Sequence, residues 1–83
     1  MTDSYVAVDL ETTGIGAKKE KITEIAMVKV VDGQVTDTFH TLINPHRKIP
    51  EEIVRLTGID DEMVKDAPGI EIVMPEVIRF CEG

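Results

Sequence analysis

The chain has 83 residues, of which 42% are hydrophobic and 30% are charged, a composition typical of an ordinary globular protein. No apolar run is long enough to span a membrane, and the first residues lack the basic-plus-apolar pattern of a signal peptide, so we expect a cytoplasmic protein with no membrane partner. The formal net charge of −7 argues against a simple nucleic-acid-binding module, although a carboxylate site recruits cations of its own. Cys81 is the only cysteine, which excludes an internal disulfide and a zinc cluster.

The first predicted element is a strand over residues 5–11 that carries two acids. Because side chains alternate along a strand, one face receives Tyr5, Ala7, Asp9 and Glu11. Adjacent like charges on a half-buried face are unfavourable unless a cation lies between them, and carboxylate oxygens suit Mg²⁺ or Mn²⁺. We therefore expect Asp9 and Glu11 to form half of a metal site at the end of this strand. The alternative is a solvated rim that begins the following turn.

Two further strands are predicted next, over residues 22–31 and 34–43. Asp32-Gly33 between them tolerates the positive φ of a hairpin turn, so the three strands form an antiparallel meander. On the second strand Glu24 can approach the metal site, but pairing with a nearby lysine is the favoured interpretation. His40 on the third strand is interpreted as a packed or surface residue rather than a ligand.

Three helices are predicted after the meander. The first begins with Pro50 at its first helical position and ends at Gly58. The second is a short turn through residues 63–64, capped by Asp60 or Asp61. The third covers residues 70–81 and tolerates Pro75; its predicted apolar stripe is Val73, Val77, Ile78 and Phe80, and Cys81 is expected to pack as a small hydrophobe.

Two short basic clusters lie in loops of this scheme. They are Lys18, Lys19 and Lys21, and His46, Arg47 and Lys48. Contact with a nucleic acid strand is possible for either, but a solvated loop is the favoured interpretation of both.

A series of short motifs, spread in order over nearly the whole chain, resembles the motifs of a known family. The series is Val8-Asp9-Leu10-Glu11-Thr12-Thr13-Gly14, Lys21-Ile22-Thr23-Glu24-Ile25-Ala26, Phe39, Asn44-Pro45, Ile49-Pro50, Leu56-Thr57-Gly58-Ile59 and Asp66-Ala67-Pro68. It resembles the N-terminal half of a DnaQ-like 3′-5′ exonuclease domain of the DEDD group, and is most similar to the PolC-type and DNA polymerase III epsilon proofreading exonucleases. The resemblance implies an α/β, RNase H-like fold.

The resemblance also implies roles for particular residues. Asp9 and Glu11 correspond to catalytic acids that bind two divalent cations, Mg²⁺ or Mn²⁺. Thr12 and Thr13 correspond to positions whose backbone and side chains approach the terminal nucleotide of the substrate. Thr57 stands where many members carry a substrate-contacting His, so its binding role rests on a hydroxyl instead.

The family's second and third motifs, which carry two further Asp residues and a His or Tyr base, have no counterpart here. Residues 1–83 are therefore expected to be the N-terminal portion of a single exonuclease domain, inactive alone and prone to self-association through the first strand or the last helix. The implied function is hydrolysis at DNA 3′ ends in proofreading or repair, in partnership with a DNA polymerase. The alternatives are a non-catalytic assembly domain of a polymerase and an RNA-trimming exoribonuclease of the same fold.

Overall fold

The structure is a computed structural model that describes residues 3–14 and 21–82. Within these residues the elements in chain order are β1 (Tyr5–Thr12), β2 (Ile22–Val31), β3 (Gln34–Leu42), α1 (Glu51–Thr57), α2 (Asp61–Val64) and α3 (Ile70–Glu82). The predicted order of three strands followed by three helices is confirmed. Two residues of the first basic cluster, Lys18 and Lys19, lie outside the described residues.

The strands form one antiparallel sheet in the order β1-β2-β3. The predicted hairpin turn joins β2 to β3, where Asp32 and Gly33 have φ angles of 52° and 79°. Two consecutive positive φ angles define the turn whose twist matches that of the flanking strands. Asp and Gly are residues that adopt them at low cost, so local sequence chemistry fixes this hairpin.

A β-bulge in this hairpin decides which side chains of β3 share a face with β2. Val30 pairs with Val35, whereas Lys29 pairs with Asp37, so Thr36 is an extra residue on β3. One extra residue reverses the facing of every side chain beyond it. The bulge therefore turns His40 to the same sheet face as Ala26, its direct cross-strand partner.

The sheet has two chemically different faces. The face that we call the acid-bearing face carries Asp9, Glu11, Glu24 and His40, as the cross-strand pairs place them. The opposite, helix-packed face carries the core formed by Ile25, Met27, Ile43 and Val73, with Val6, Phe39 and Phe80 among the partly buried residues packed against it. Helix α3 covers this second face, so the acids remain on the side opposite α3.

The packing of α3 differs in part from the predicted stripe. Val73 is fully buried, and Val77 and Phe80 pack against the core as expected. Ile78, by contrast, is 53% exposed, and Cys81 is exposed rather than packed. Both corrections have one physical reason: among the described elements it is the sheet that packs on α3, and it covers the side of the helix that carries Val73, Val77 and Phe80. The helix continues through Pro75 as predicted.

Helices α1 and α2 form a second, smaller core. Its buried residues are Ile49, Ile53, Ile59 and Val64. Gly58 caps α1 with φ 78°, and the Asp60 side chain accepts a hydrogen bond from the Met63 N–H at 2.9 Å, so both predicted caps are confirmed. Pro50 is the N-cap of α1 instead of its first helical residue, because its ψ of 142° is extended. No helix among the described residues is long and apolar enough to cross a membrane.

Candidate active site

The two predicted metal-binding acids lie on one open surface at the end of β1. Asp9 is exposed and pairs across the sheet with Ala26, while Glu11 is partly buried and pairs with Glu24. Ala26 has a short side chain, which leaves the Asp9 carboxylate uncrowded. Within residues 3–14 and 21–82 neither the Asp9 nor the Glu11 carboxylate has a hydrogen-bond or ion-pair partner. Both carboxylates are therefore available to a ligand.

Glu24 brings a third carboxylate to the same surface and is held by a histidine. His40 Nε2 donates to Glu24 Oε2, and the side chains remain 60% and 28% exposed respectively. The expected pairing of Glu24 with a lysine is thus wrong. Lys29, a lysine on the same strand, lies on the helix-packed face with its Nζ 4.8 Å from the centre of the Phe80 ring. Glu24 and His40 are both visible in the sequence, but it is the bulge in β3 that brings their side chains to one face of the sheet.

The threonines after the acids form a hydrogen-bonded turn. Thr12 Oγ1 donates to the Gly14 carbonyl oxygen at 2.6 Å. Thr13 is buried; its N–H donates to the Lys21 carbonyl oxygen at 2.9 Å, and its Oγ1 accepts from the Lys21 N–H at 3.1 Å. These bonds fix the direction in which the backbone leaves β1 and thereby the position of the preceding Glu11.

Thr57 lies on the same side of the sheet as the acids. The small core of α1 and α2 contacts Leu42, whose cross-strand partner is Glu24, so these helices border the acid-bearing face. The Thr57 hydroxyl donates to the Ile53 carbonyl oxygen at 2.9 Å and accepts from the Ile59 N–H at 3.1 Å. Because both capacities of the hydroxyl are in use, a substrate contact through it requires one of these bonds to be exchanged.

The donor set fits a divalent cation that keeps much of its water. Asp9 and Glu11 supply hard, unpaired carboxylate oxygens, the ligand type that Mg²⁺ and Mn²⁺ prefer. In the described part of the chain, no group of three or more His, Cys, Asp or Glu residues is arranged to hold a metal ion. Two carboxylates on an open face therefore provide an incomplete site, whose remaining positions belong to water, substrate or other groups.

Comparison with known proteins assigns this chain and its fold to a family. The exonuclease family model RNase_T matches residues 6–83, and the chain belongs to this family. It is 46% identical over 79 residues to the PolC-type DNA polymerase III of Caldanaerobacter subterraneus, covering 95% of this chain and 6% of the relative. It is 48% identical over 73 residues to that of Staphylococcus haemolyticus, covering 88% of this chain and 5% of the relative. The chain thus spans about one-twentieth of the length of these relatives.

Solved structures agree with this assignment. Exonuclease X in complex with 5′ overhanging duplex DNA superposes with a TM-score of 0.78 at 35% identity, over 87% of this chain and 42% of that chain. The nuclease domain of 3′hExo, a DEDDh family member bound to rAMP, gives a TM-score of 0.82 at 24% identity over 98% of this chain and 44% of that chain, a likeness that shows the fold. The predicted DnaQ-like resemblance and RNase H-like fold are confirmed. Members of this family generally use divalent metal ions.

Proposed function

We propose that this chain contributes to a metal-dependent 3′-5′ exonuclease, in which Asp9 and Glu11 bind the cations at the reacting phosphate. The observation that carries the proposal is the placement of two carboxylates, which have no partner among the described residues, on the open face of β1 in a chain that belongs to an exonuclease family. Unpaired carboxylates side by side are unfavourable unless a cation neutralises them. A binding role for both residues explains why the surface carries them.

The residues of this chain have distinct parts in the proposed reaction. Asp9 and Glu11 hold two divalent cations, Mg²⁺ or Mn²⁺, which when bound supply an activated water and stabilise charge on the phosphate and the leaving 3′ oxygen. Glu11 also accepts a hydrogen bond from the 3′ hydroxyl of the substrate. Thr12 positions the terminal nucleotide through its backbone and side chain, and Thr57 approaches it from α1. Thr13 is 1% exposed and its N–H and Oγ1 are bonded to Lys21, so it supports the turn instead of contacting the nucleotide as expected. Neither acid acts as the general base.

The proposed substrate is the 3′ end of single-stranded DNA, processed during proofreading or repair. Its support is the similarity to PolC-type DNA polymerase III and to a nuclease whose solved complex contains DNA. The same similarity supports a polymerase subunit or domain as the partner and a cytoplasmic setting. RNA trimming is the second candidate, because a protein of the same fold has been solved with rAMP bound. A non-catalytic assembly role within a polymerase is the third.

Self-association of this chain is part of the proposal. In the described residues β1 pairs with a strand along one edge only, and α3 leaves Val8 and Leu10 54% and 46% exposed. An unpaired strand edge beside exposed apolar side chains recruits another chain. Pairing of β1 with β1 across a two-fold axis satisfies the backbone groups of both copies.

Paramagnetic broadening by Mn²⁺ tests the metal site directly. We expect the amide signals around Asp9 to broaden first, at a weak affinity because the cation keeps most of its waters. The variants Asp9→Asn and Glu11→Gln should lose this effect. Asp37→Asn is the matched control, since it removes the same charge from the helix-packed face, opposite Lys29. Broadening centred elsewhere, or unchanged in Asp9→Asn, overturns the proposed site.

A further inference from the structure

We propose that His40 is a positioning residue that holds the Glu24 carboxylate towards β3 and so keeps it out of the ligand set of the cation. This inference rests on the proposed metal site at Asp9 and Glu11. It gives a role to the exposed hydrogen bond between His40 and Glu24, which is part of neither the core nor the backbone pairing of the sheet. The two residues involved belong to different strands and are 16 positions apart in the sequence.

The register brings Glu24 within reach of any cation held by Glu11. The two glutamates are direct cross-strand partners on the acid-bearing face. Side chains in such pairs have Cβ atoms about 4.5–5.5 Å apart, and a glutamate side chain spans much of that gap. An unrestrained Glu24 would therefore approach the same cation as Glu11, because both carboxylates are attracted to it.

His40 restrains Glu24 from the opposite side. It lies on β3 across from Ala26, two residue pairs along the sheet from Glu24 and on the same face, and its Nε2 hydrogen bonds Oε2 of the glutamate. The carboxylate is thus directed towards β3, while Glu11 lies on β1. On this face the charged and titratable groups of the described strands are Tyr5, Asp9, Glu11, Glu24 and His40. Tyr5 lies opposite Val30, six residues along β2 from Glu24, so His40 is the group among them that donates to the Glu24 carboxylate.

Restraint of Glu24 has a consequence for the ligand set. Mg²⁺ takes six oxygen ligands and usually keeps several waters and substrate oxygens beside one or two carboxylates. A third carboxylate in the set would tighten cation binding and occupy a position that a phosphate oxygen needs. Holding Glu24 on the β3 side leaves that position open.

Mn²⁺ affinity of the full 83-residue chain tests this inference without an activity readout. Titration calorimetry and electron paramagnetic resonance would compare the wild type with His40→Ala, His40→Gln and the double variant His40→Ala/Glu24→Gln. We expect His40→Ala to bind Mn²⁺ about tenfold more tightly, because ligand charge sets affinity. His40→Gln keeps a donor for Glu24 and should stay within about twofold of the wild type, and the double variant should lose the gain. Thr38→Ala, on the same face of β3, is the matched control.

The possible failures are distinguishable. If the wild type binds no Mn²⁺ at Asp9, the proposed function fails and this inference fails with it. If the wild type binds but His40→Ala binds equally, only the positioning role is overturned. A gain that persists in the double variant, or that appears equally in His40→Gln, assigns the effect to the histidine itself and also overturns the role. His40 is exposed, so circular dichroism should report the same fold for every variant.

Discussion

Glu11 on β1 and Glu24 on β2 are direct cross-strand partners, so two carboxylates lie side by side on the acid-bearing face. Like charges directly opposite each other destabilise an antiparallel pair. Among the described residues Glu24 has a compensating partner, His40, and Glu11 has none. The sheet therefore carries an unfavourable pair of charges at the proposed cation site, so the arrangement proposed for cation binding lowers the stability of the metal-free fold.

Neutralising Glu11 should stabilise the metal-free fold. We expect Glu11→Gln to raise the free energy of unfolding by up to about 1 kcal/mol, because it removes the repulsion from Glu24. For a domain of this size that corresponds to an increase in Tm of about 4–8 °C. Thermal unfolding in the presence of EDTA measures it, with Glu52→Gln in the first turn of α1 as the control. A lower Tm for Glu11→Gln would contradict the electrostatic argument.

Two buried threonines offer a second, paired prediction. Thr23 and Thr13 are each 1% exposed. In the part of the chain that the structure describes, the Thr23 hydroxyl has no hydrogen-bond partner, whereas Thr13 Oγ1 accepts from the Lys21 N–H. An unpaired buried hydroxyl costs free energy that an apolar group of the same shape does not. Thr23→Val should therefore stabilise the chain by about 1 kcal/mol, and Thr13→Val should destabilise it by about 1–3 kcal/mol. Urea unfolding of both variants measures the two changes in the free energy of unfolding. Equal changes would contradict the predicted difference between Thr23 and Thr13.

We expect the 83-residue chain to release no nucleotides from a 3′-labelled single strand in the presence of Mn²⁺. Two carboxylates leave the cation site incomplete, and neither His40 nor His46 lies in a segment that corresponds to the family's base. The assay compares the wild type with Asp9→Ala, and the two should be indistinguishable. In a longer chain that carries the remaining motifs, Asp9→Ala should abolish turnover and leave the fold intact. Robust release by the 83-residue chain that survives Asp9→Ala would refute both site and mechanism.

The open edge of β1 predicts a concentration-dependent oligomer. Sedimentation at low micromolar concentration should detect self-association of the wild type, and Val8→Lys should weaken it by placing charge beside the unpaired strand. The matched control is Val35→Lys, because Val35 is 64% exposed on β3, an edge strand whose neighbouring side chains are mostly polar. A compact monomer with cooperative unfolding would show that β1 needs no partner.

Local signals in the sequence were sufficient for most of the fold. The second strand was predicted with its observed bounds, because it is rich in β-branched residues and is closed by Asp32-Gly33. The helix caps at Gly58 and Asp60 follow from backbone chemistry alone. Period-two alternation likewise put Asp9 and Glu11 on one face.

Features that depend on register and tertiary packing were not predictable. A plain two-residue hairpin pairs Ile25 with His40 and turns the histidine towards the core, whereas the extra Thr36 turns it to the acid-bearing face. No local pattern marks that bulge, so the Glu24–His40 hydrogen bond was missed. The exposure of Ile78 depends on which elements cover α3, which periodicity within the helix does not reveal.

The two edges of the sheet differ, and the difference favours the addition of a further strand along β1 rather than along β3. The β3 edge is bulged and mostly polar, while the β1 edge is flanked by Val8 and Leu10. A strand added along β1 would project every second side chain onto the surface that carries Asp9 and Glu11. Such a strand would consequently extend the sheet and place new side chains beside the proposed cation site in the same step.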